Sequence, residues 1–144
     1  MTIQYRIQHI HIDDFSFFKE LYSPGKEFQI KNQFSFGFNK ADASFACVYL
    51  EEMMQAHKTF LSARLNVVVE LSHESIENLK DNSSIVIPRE FLVQIASINY
   101  GTMRGVVVAN TQSIGVNDII MPPMFLSNII KEPMIIQMEE MAGK

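Results

Sequence analysis

The sequence predicts an α+β fold: a four-stranded antiparallel sheet, arranged as a meander, followed by two helices packed on one face. Three observations predict it. Apolar and polar residues alternate through the first half, which is the period of a half-buried strand. Between Arg89 and Thr111 the apolar residues recur at three- and four-residue steps, the period of a helix. The strand-like segments all come before the helix-like ones, an order that places helices on one side of a sheet.

The first strand lies within Ile3 to Phe17, where Ile3, Tyr5 and Ile7 alternate and Ile10 and Ile12 resume out of phase. The change of phase around Gln8–His9 predicts a bulge or a strand that swaps faces. Tyr22-Ser-Pro-Gly25 is a turn signal. In the second strand Phe28, Ile30, Phe34, Phe36 and Phe38 share one parity, with Gln29, Lys31, Gln33 and Ser35 on the other. A stripe of this kind is expected to face the core between sheet and helices. Asn39 to Asp42 turns the chain. Ser44 to Met54 is apolar on both parities; composition alone would allow a helix, but its aromatics and its neighbours favour a third strand. The fourth runs from Thr59 to Leu71, with Leu61, Ala63, Leu65, Val67, Val69 and Leu71 on one side. Short polar turns between such strands predict a meander.

Glu74 to Asn82 is polar and reads as a loop with room for one helical turn. Pro88 then stands where a helix can begin. Phe91, Leu92, Ile95, Ile98 and Met103 form the apolar stripe of the long helix. A polar loop, Thr111 to Asp118, leads to Ile119-Ile-Met-Pro-Pro123. A second helix is expected from Pro123, with Phe125, Leu126, Ile129 and Ile130 as its apolar members and Pro133 as its stop.

Composition narrows the function. The 144 residues contain no internal repeat, low-complexity tract or linker, so one domain spanning 1–144 is expected. A single cysteine, Cys47, rules out an intrachain disulfide and suits a reducing compartment such as the cytoplasm. No secretory leader is expected, and no apolar run is long enough to span a bilayer. A formal charge of −4 argues against nucleic acid as the main ligand, because phosphate binding needs a basic patch. Trp is absent, yet there are 11 Phe and 9 Met. The last third carries more apolar surface than one helix needs to cover one sheet, and several strands are apolar on both faces. The surplus is expected to be buried in a symmetric homo-oligomer or offered to an apolar ligand.

One set of residues, taken in order, points further. Four strands lead to Pro88, then to a helix holding Ser97-Ile-Asn-Tyr-Gly-Thr-Met-Arg-Gly105, a loop, and Met121-Pro-Pro-Met-Phe-Leu126. This arrangement resembles the bacterial export chaperone SecB and its SecB-like relatives over most of the chain. The sharpest points are the Arg104-Gly105 pair and Pro123, and the strand from Phe60 to Leu71 looks like the family's last strand. The resemblance implies a four-stranded sheet with two helices, assembled as a dimer or a dimer of dimers through sheet edges and helices. It implies an apolar groove that holds unfolded polypeptide clients, drawing on Phe60, Ile114, Ile119, Met124, Leu126, Ile129 and Ile130. It also implies docking of the translocase motor SecA on an acidic patch of the outer sheet face. Asp13, Asp14 and Glu20 are the acidic residues available for that patch, whereas the position matching a family acidic residue in the last strand is Ala63. The polar tail, Met138 to Lys144, is short for the family. A relative that guards a different client, such as a toxin's partner, fits the same residues.

No enzymatic chemistry is expected, and no cofactor. His9 and His11 share one face of a strand, but a metal site needs further ligands. Asp13–Asp14 and Glu51–Glu52 are neighbours on strands, so the members of each pair point to opposite faces and form no dyad. Cys47 sits in an apolar strand, where an inert thiol is expected. No nucleophile elbow, phosphate loop or dinucleotide glycine pattern occurs. Arg104 reads as an intrachain salt bridge or a snorkelling arginine near the helix C-terminus, or as a contact across an oligomer or to a client backbone. Gly101 and Gly105 lie one turn apart and would permit close helix packing between subunits. Two readings follow: a SecB-like chaperone that captures unfolded polypeptide, or an interaction protein of the same fold whose apolar surface stays closed between subunits. A small-ligand protein using the helix–sheet pocket is a third.

Overall fold

The computed structural model describes residues 2–137. The tail from 138 to 144 lies outside the described residues. Four long strands form the main sheet: β1 (Tyr5–Phe17), β2 (Gln29–Asn39), β3 (Ser44–Gln55) and β4 (Lys58–Leu71). A short helix α1 (His73–Leu79) follows, then β5 (Lys80–Asp81), β6 (Ser84–Ile87), the long helix α2 (Arg89–Gln112) and β7 (Met134–Gln137). The α+β class and the antiparallel four-stranded sheet stand as expected.

The strand order does not follow the sequence. It runs β1-β4-β3-β2, so β2, β3 and β4 form a meander while β1 lies at the far edge beside β4. This is a Greek-key arrangement. Its cause is the difference between the links. A two-residue turn, Ala56-His57, forces β3 and β4 together, and a short turn joins β2 to β3. The link from Phe18 to Phe28 is longer and crosses the end of the sheet. It is pinned there by Phe18 N–H donating to Phe60 O at 2.8 Å and by the Gln55 side chain, which donates to the carbonyls of Ser23 and Lys26.

Register defines an inner face. Phe34, Phe36 and Phe38 of β2 stand opposite Tyr49, Cys47 and Phe45 of β3, which in turn stand opposite Leu65, Val67 and Val69 of β4. β1 carries two register shifts, between Ile7 and His9 and between Ile12 and Asp14. The first is the bulge that the change of phase predicts. Together they bring Tyr5, Ile7, Ile10, Ile12, Phe15 and Phe17 opposite the inner row of β4.

Helix α2 lies across β3 and β4 on this face. Its buried stripe includes Leu92, Ile95, Ala96, Met103 and Val107. Asn99 stands in the middle of that stripe, fully buried, and its amide donates to Cys47 O at 2.8 Å and Leu65 O at 3.1 Å. Burial pushes the Cys47 thiol up to about 12, so it stays protonated and inert at neutral pH.

The expected second helix is not formed. Residues 116–125 form no helix or strand, and only Leu126–Asn128 make a 3-10 turn before β7. Pro122 and Pro123 supply no N–H, and the seven residues from Met124 to Ile130 are too few to nucleate a helix alone. Two α2 side chains also take up the carbonyls of the segment: Tyr100 Oη donates to Pro122 O at 2.5 Å, and Arg104 Nε to Met121 O at 3.1 Å. The second helix of the fold is α1, longer than the single turn expected there. Ser72 caps it, its side chain accepting from Ser75 N–H at 3.1 Å. A small second sheet, β5-β6-β7, adds to the expected elements.

Candidate functional site

Among the described residues, two of the apolar surfaces left open after folding bear on binding. The first is a groove of about 620 Å³ between the outer edge of β2 and the segment 129–134. Phe34 and Phe36 form one wall, Leu92 of α2 the floor, and Ile129, Ile130 and Met134 the other wall. Asn32, Gln33, Lys131 and Glu132 supply polar groups along its margins. The volume lies within the range of ligand clefts, and the lining is apolar with few polar groups, as such clefts require. The groove exists because β2 is the last strand of the sheet. Its phenylalanines pack inward on Tyr49 (centroids 4.6 Å apart) and Phe45 (5.8 Å), and among the described residues nothing covers their outer flank. The opposite wall is held in place by Arg89 Nη2 donating to Ser127 O at 2.6 Å.

The second open surface is the middle of β1. Ile7, Ile10 and Ile12 belong to the inner row but lie beyond the reach of α2 and are 43–45 % exposed. On α2, Gly101 and Gly105 lie on the exposed side, with open space where a Cβ would stand.

The residues expected at the groove divide into three sets. Ile129, 51 % exposed, and the largely buried Ile130 line it. Met124, half-buried, and Leu126, buried, lie on the segment leading to that wall. Phe60, Ile114 and Ile119 do not line it. Phe60 has no exposed surface and is ringed by Phe17, Tyr22 and Phe28 at 4.8–6.1 Å. Ile119 is buried, and Ile114 is exposed in the turn after α2. The groove residues that sequence reasoning assigns to the core are Phe34 and Phe36, whose half-burial follows from the edge position of β2. Asn32, Gln33, Leu92 and Met134 carry no sequence signal for the groove.

The acidic residues do not form a free patch. Asp13 is tied to His11 Nδ1 at 2.6 Å and to Arg64 Nε at 3.6 Å. Asp14 stands opposite Arg64 in register, and Glu20 is exposed in the turn Lys19–Leu21. Other acids of the outer face are matched in the same way: Arg6 pairs with Glu70 at 2.6 Å, and Lys31 lies opposite Glu52. Ala63 belongs to the inner face and is buried, so it has no place in an outer patch. Arg104 makes an intrachain contact through Met121 O. Among the described residues, no three His, Cys, Asp or Glu side chains come together as a metal set. No helix among them is long and apolar enough to cross a membrane.

One buried acid stands out. Glu51 lies on the inner face of β3, where burial pushes its carboxyl up to about 7, against the pull of the Tyr49 hydroxyl that donates to it. Burial and the neighbouring carboxyl also raise the phenols of Tyr49 and Tyr100.

No family model matches the chain, and no curated protein matches it in sequence. A solved structure does match in fold: the Mycobacterium tuberculosis Rv1957 SecB-like chaperone in complex with a ChAD peptide from the Rv1956 HigA1 antitoxin. The TM-score is 0.52 at 9 % identity, and the match covers 83 % of this chain and 90 % of that one. At that identity the likeness establishes the fold alone.

Proposed function

We infer that this chain is a SecB-like, non-enzymatic chaperone whose groove between β2 and residues 129–134 captures apolar stretches of unfolded polypeptide. The observation that carries this reading is the open flank of Phe34 and Phe36 facing Ile129. These are large apolar side chains that the folded chain leaves uncovered in a cleft rather than scattered over its surface. Support also comes from the fold neighbour, which holds a peptide from an antitoxin. A client of the same chemistry, a short extended segment of an otherwise unprotected partner, suits a groove of this size. Affinity comes from apolar burial at about 25 cal/mol per Å², less the cost of ordering the client. Met134 in the groove wall adapts to varied side chains.

In the same reading the chain works as a homo-oligomer, a dimer or a dimer of dimers, that covers Ile7, Ile10 and Ile12 and packs the α2 face bearing Gly101 and Gly105. Several grooves per particle add avidity. The free thiol of Cys47 suits a reducing cytoplasm. Capture does not depend on SecA. A docking role for Asp13, Asp14 and Glu20 would have to compete with the His11 hydrogen bond and the Arg64 ion pair that already hold Asp13. The test is calorimetric titration with a permanently unfolded protein. Saturable binding that weakens on Ile129→Ser supports capture; an oligomer that ignores every unfolded chain removes it.

A second reading has an observation of its own. Ile7, Ile10 and Ile12 stand exposed together on β1, away from the groove, and a closed assembly would use such apolar surface for self-association only. Binding of an environment-sensitive dye to the native oligomer separates the two, since a closed assembly stays dark.

A further inference from the structure

Among the described residues, the Glu51 carboxyl is buried with a single hydrogen-bond partner. It is 1 % exposed, between Asn32 of β2 and Ala63 of β4. Tyr49 Oη donates to Oε1 at 2.5 Å, while Oε2 is buried with no hydrogen-bond partner. The groups facing it are few. Its own strand presents Tyr49, and α2 presents Tyr100, with Arg104 one turn further on. β2 and β4 present Asn32 and Ala63, neither of them charged; Lys31, Glu52 and Arg64 take the outer-face register. A carboxylic acid is tolerated in such a site, whereas a carboxylate leaves one oxygen unsolvated and unpaired.

The same tyrosines seat the crossing segment. The rings of Tyr49 and Tyr100 meet edge-on with centroids 5.6 Å apart. Tyr100 Oη holds Pro122 O, and Arg104 Nε holds Met121 O. These two bonds fasten residues 116–125 to α2, and that segment continues into the groove wall at 129–134. A negative charge on Glu51 acts on the neighbouring Tyr100 phenol, which holds Pro122 O, and favours any opening that admits water.

We propose that Glu51 is a proton-operated latch on the crossing segment: the protonated carboxyl keeps residues 116–125 seated on α2, and the carboxylate releases them. The raised carboxyl supports the direction. The closed state binds the proton more tightly than the open one, so opening is suppressed in acid and favoured as pH rises. The latch is independent of client capture, since its readout needs no client.

The experiment is limited proteolysis within residues 116–125 of the native full chain from pH 5 to pH 8, corrected for the protease's own pH profile. In the wild type, the opening constant of residues 116–125 rises about tenfold per pH unit and levels off near neutrality, because one proton is released on opening. Glu51→Gln holds the segment protected at every pH. Tyr49→Phe removes the donor that favours the carboxylate, so the levelling-off point moves to higher pH. A flat wild-type profile, or a Glu51→Gln profile that follows the wild type, overturns the proposal. If Glu51→Gln fails to fold, carboxyl-carbon NMR of the wild type decides. A Glu51 midpoint near neutrality supports the latch, and one in the ordinary acidic range overturns it.

Discussion

Burial of individual side chains separates residues that hold the fold from residues that face a client. Phe60 and Ile129 are both expected at the groove from sequence, yet one is sealed and the other half open. Phe60→Ala is expected to cost about 3–5 kcal/mol of stability by leaving a cavity among three rings, read by urea denaturation, with client affinity per folded molecule unchanged. Ile129→Ser is expected to leave the denaturation midpoint nearly in place and to weaken client binding by about 1–2 kcal/mol. The reverse pattern would place the binding surface elsewhere. Asn99 makes a third case. Its amide satisfies two strand carbonyls inside an apolar layer, so Asn99→Leu is expected to cost about 1–3 kcal/mol. None of these distinctions is legible in sequence. Phe60 and Phe34 are both phenylalanines in apolar strand rows, and only their neighbours in space tell them apart.

Elements record where local preference held and where it yielded. The β3–β4 turn places Ala56 and His57 at φ of 50° and 64°, a conformation that suits asparagine and glycine. The double substitution Ala56→Asn with His57→Gly is expected to raise stability by about 1 kcal/mol, measured calorimetrically. Helix α2 poses a different test. Gly101 and Gly105 sit in open space, so alanine at either position would fit the lone chain and gain about 1 kcal/mol of helix propensity. If that face packs against a second copy, the added methyl groups break the packing. The expected outcome of Gly101→Ala with Gly105→Ala is a smaller particle by sedimentation; a more stable particle of unchanged mass would take the helix out of the interface. The strands and α2 are readable because amphipathic period is a local property. The segment 123–130 reads as a helix in sequence and is not one, because its apolar spacing says nothing of Pro122 O and Met121 O being held by Tyr100 and Arg104.

At the scale of the whole molecule, the decisive feature is an inner sheet face wider than the helix laid across it. α2 covers β3 and β4, leaving the middle of β1 bare on one side and β2 partly bare on the other. The bare row on β1 is expected to carry assembly: Ile10→Asp should shift the sedimentation coefficient toward that of the monomer while client binding per groove persists. Loss of binding without loss of assembly would assign that row to the client instead.

The residue pattern alone was enough for the α+β class, the four strands, the bulge in β1, the long helix from Arg89 and a surplus of apolar surface. Each of these follows from composition or from a period that neighbouring residues set. Strand order, the sealed aromatic nest around Phe60, the groove beside β2 and the isolation of the Glu51 carboxyl depended on which distant segments meet. That is settled by the lengths of links, by proline and by long-range hydrogen bonds, and no short stretch of sequence carries it.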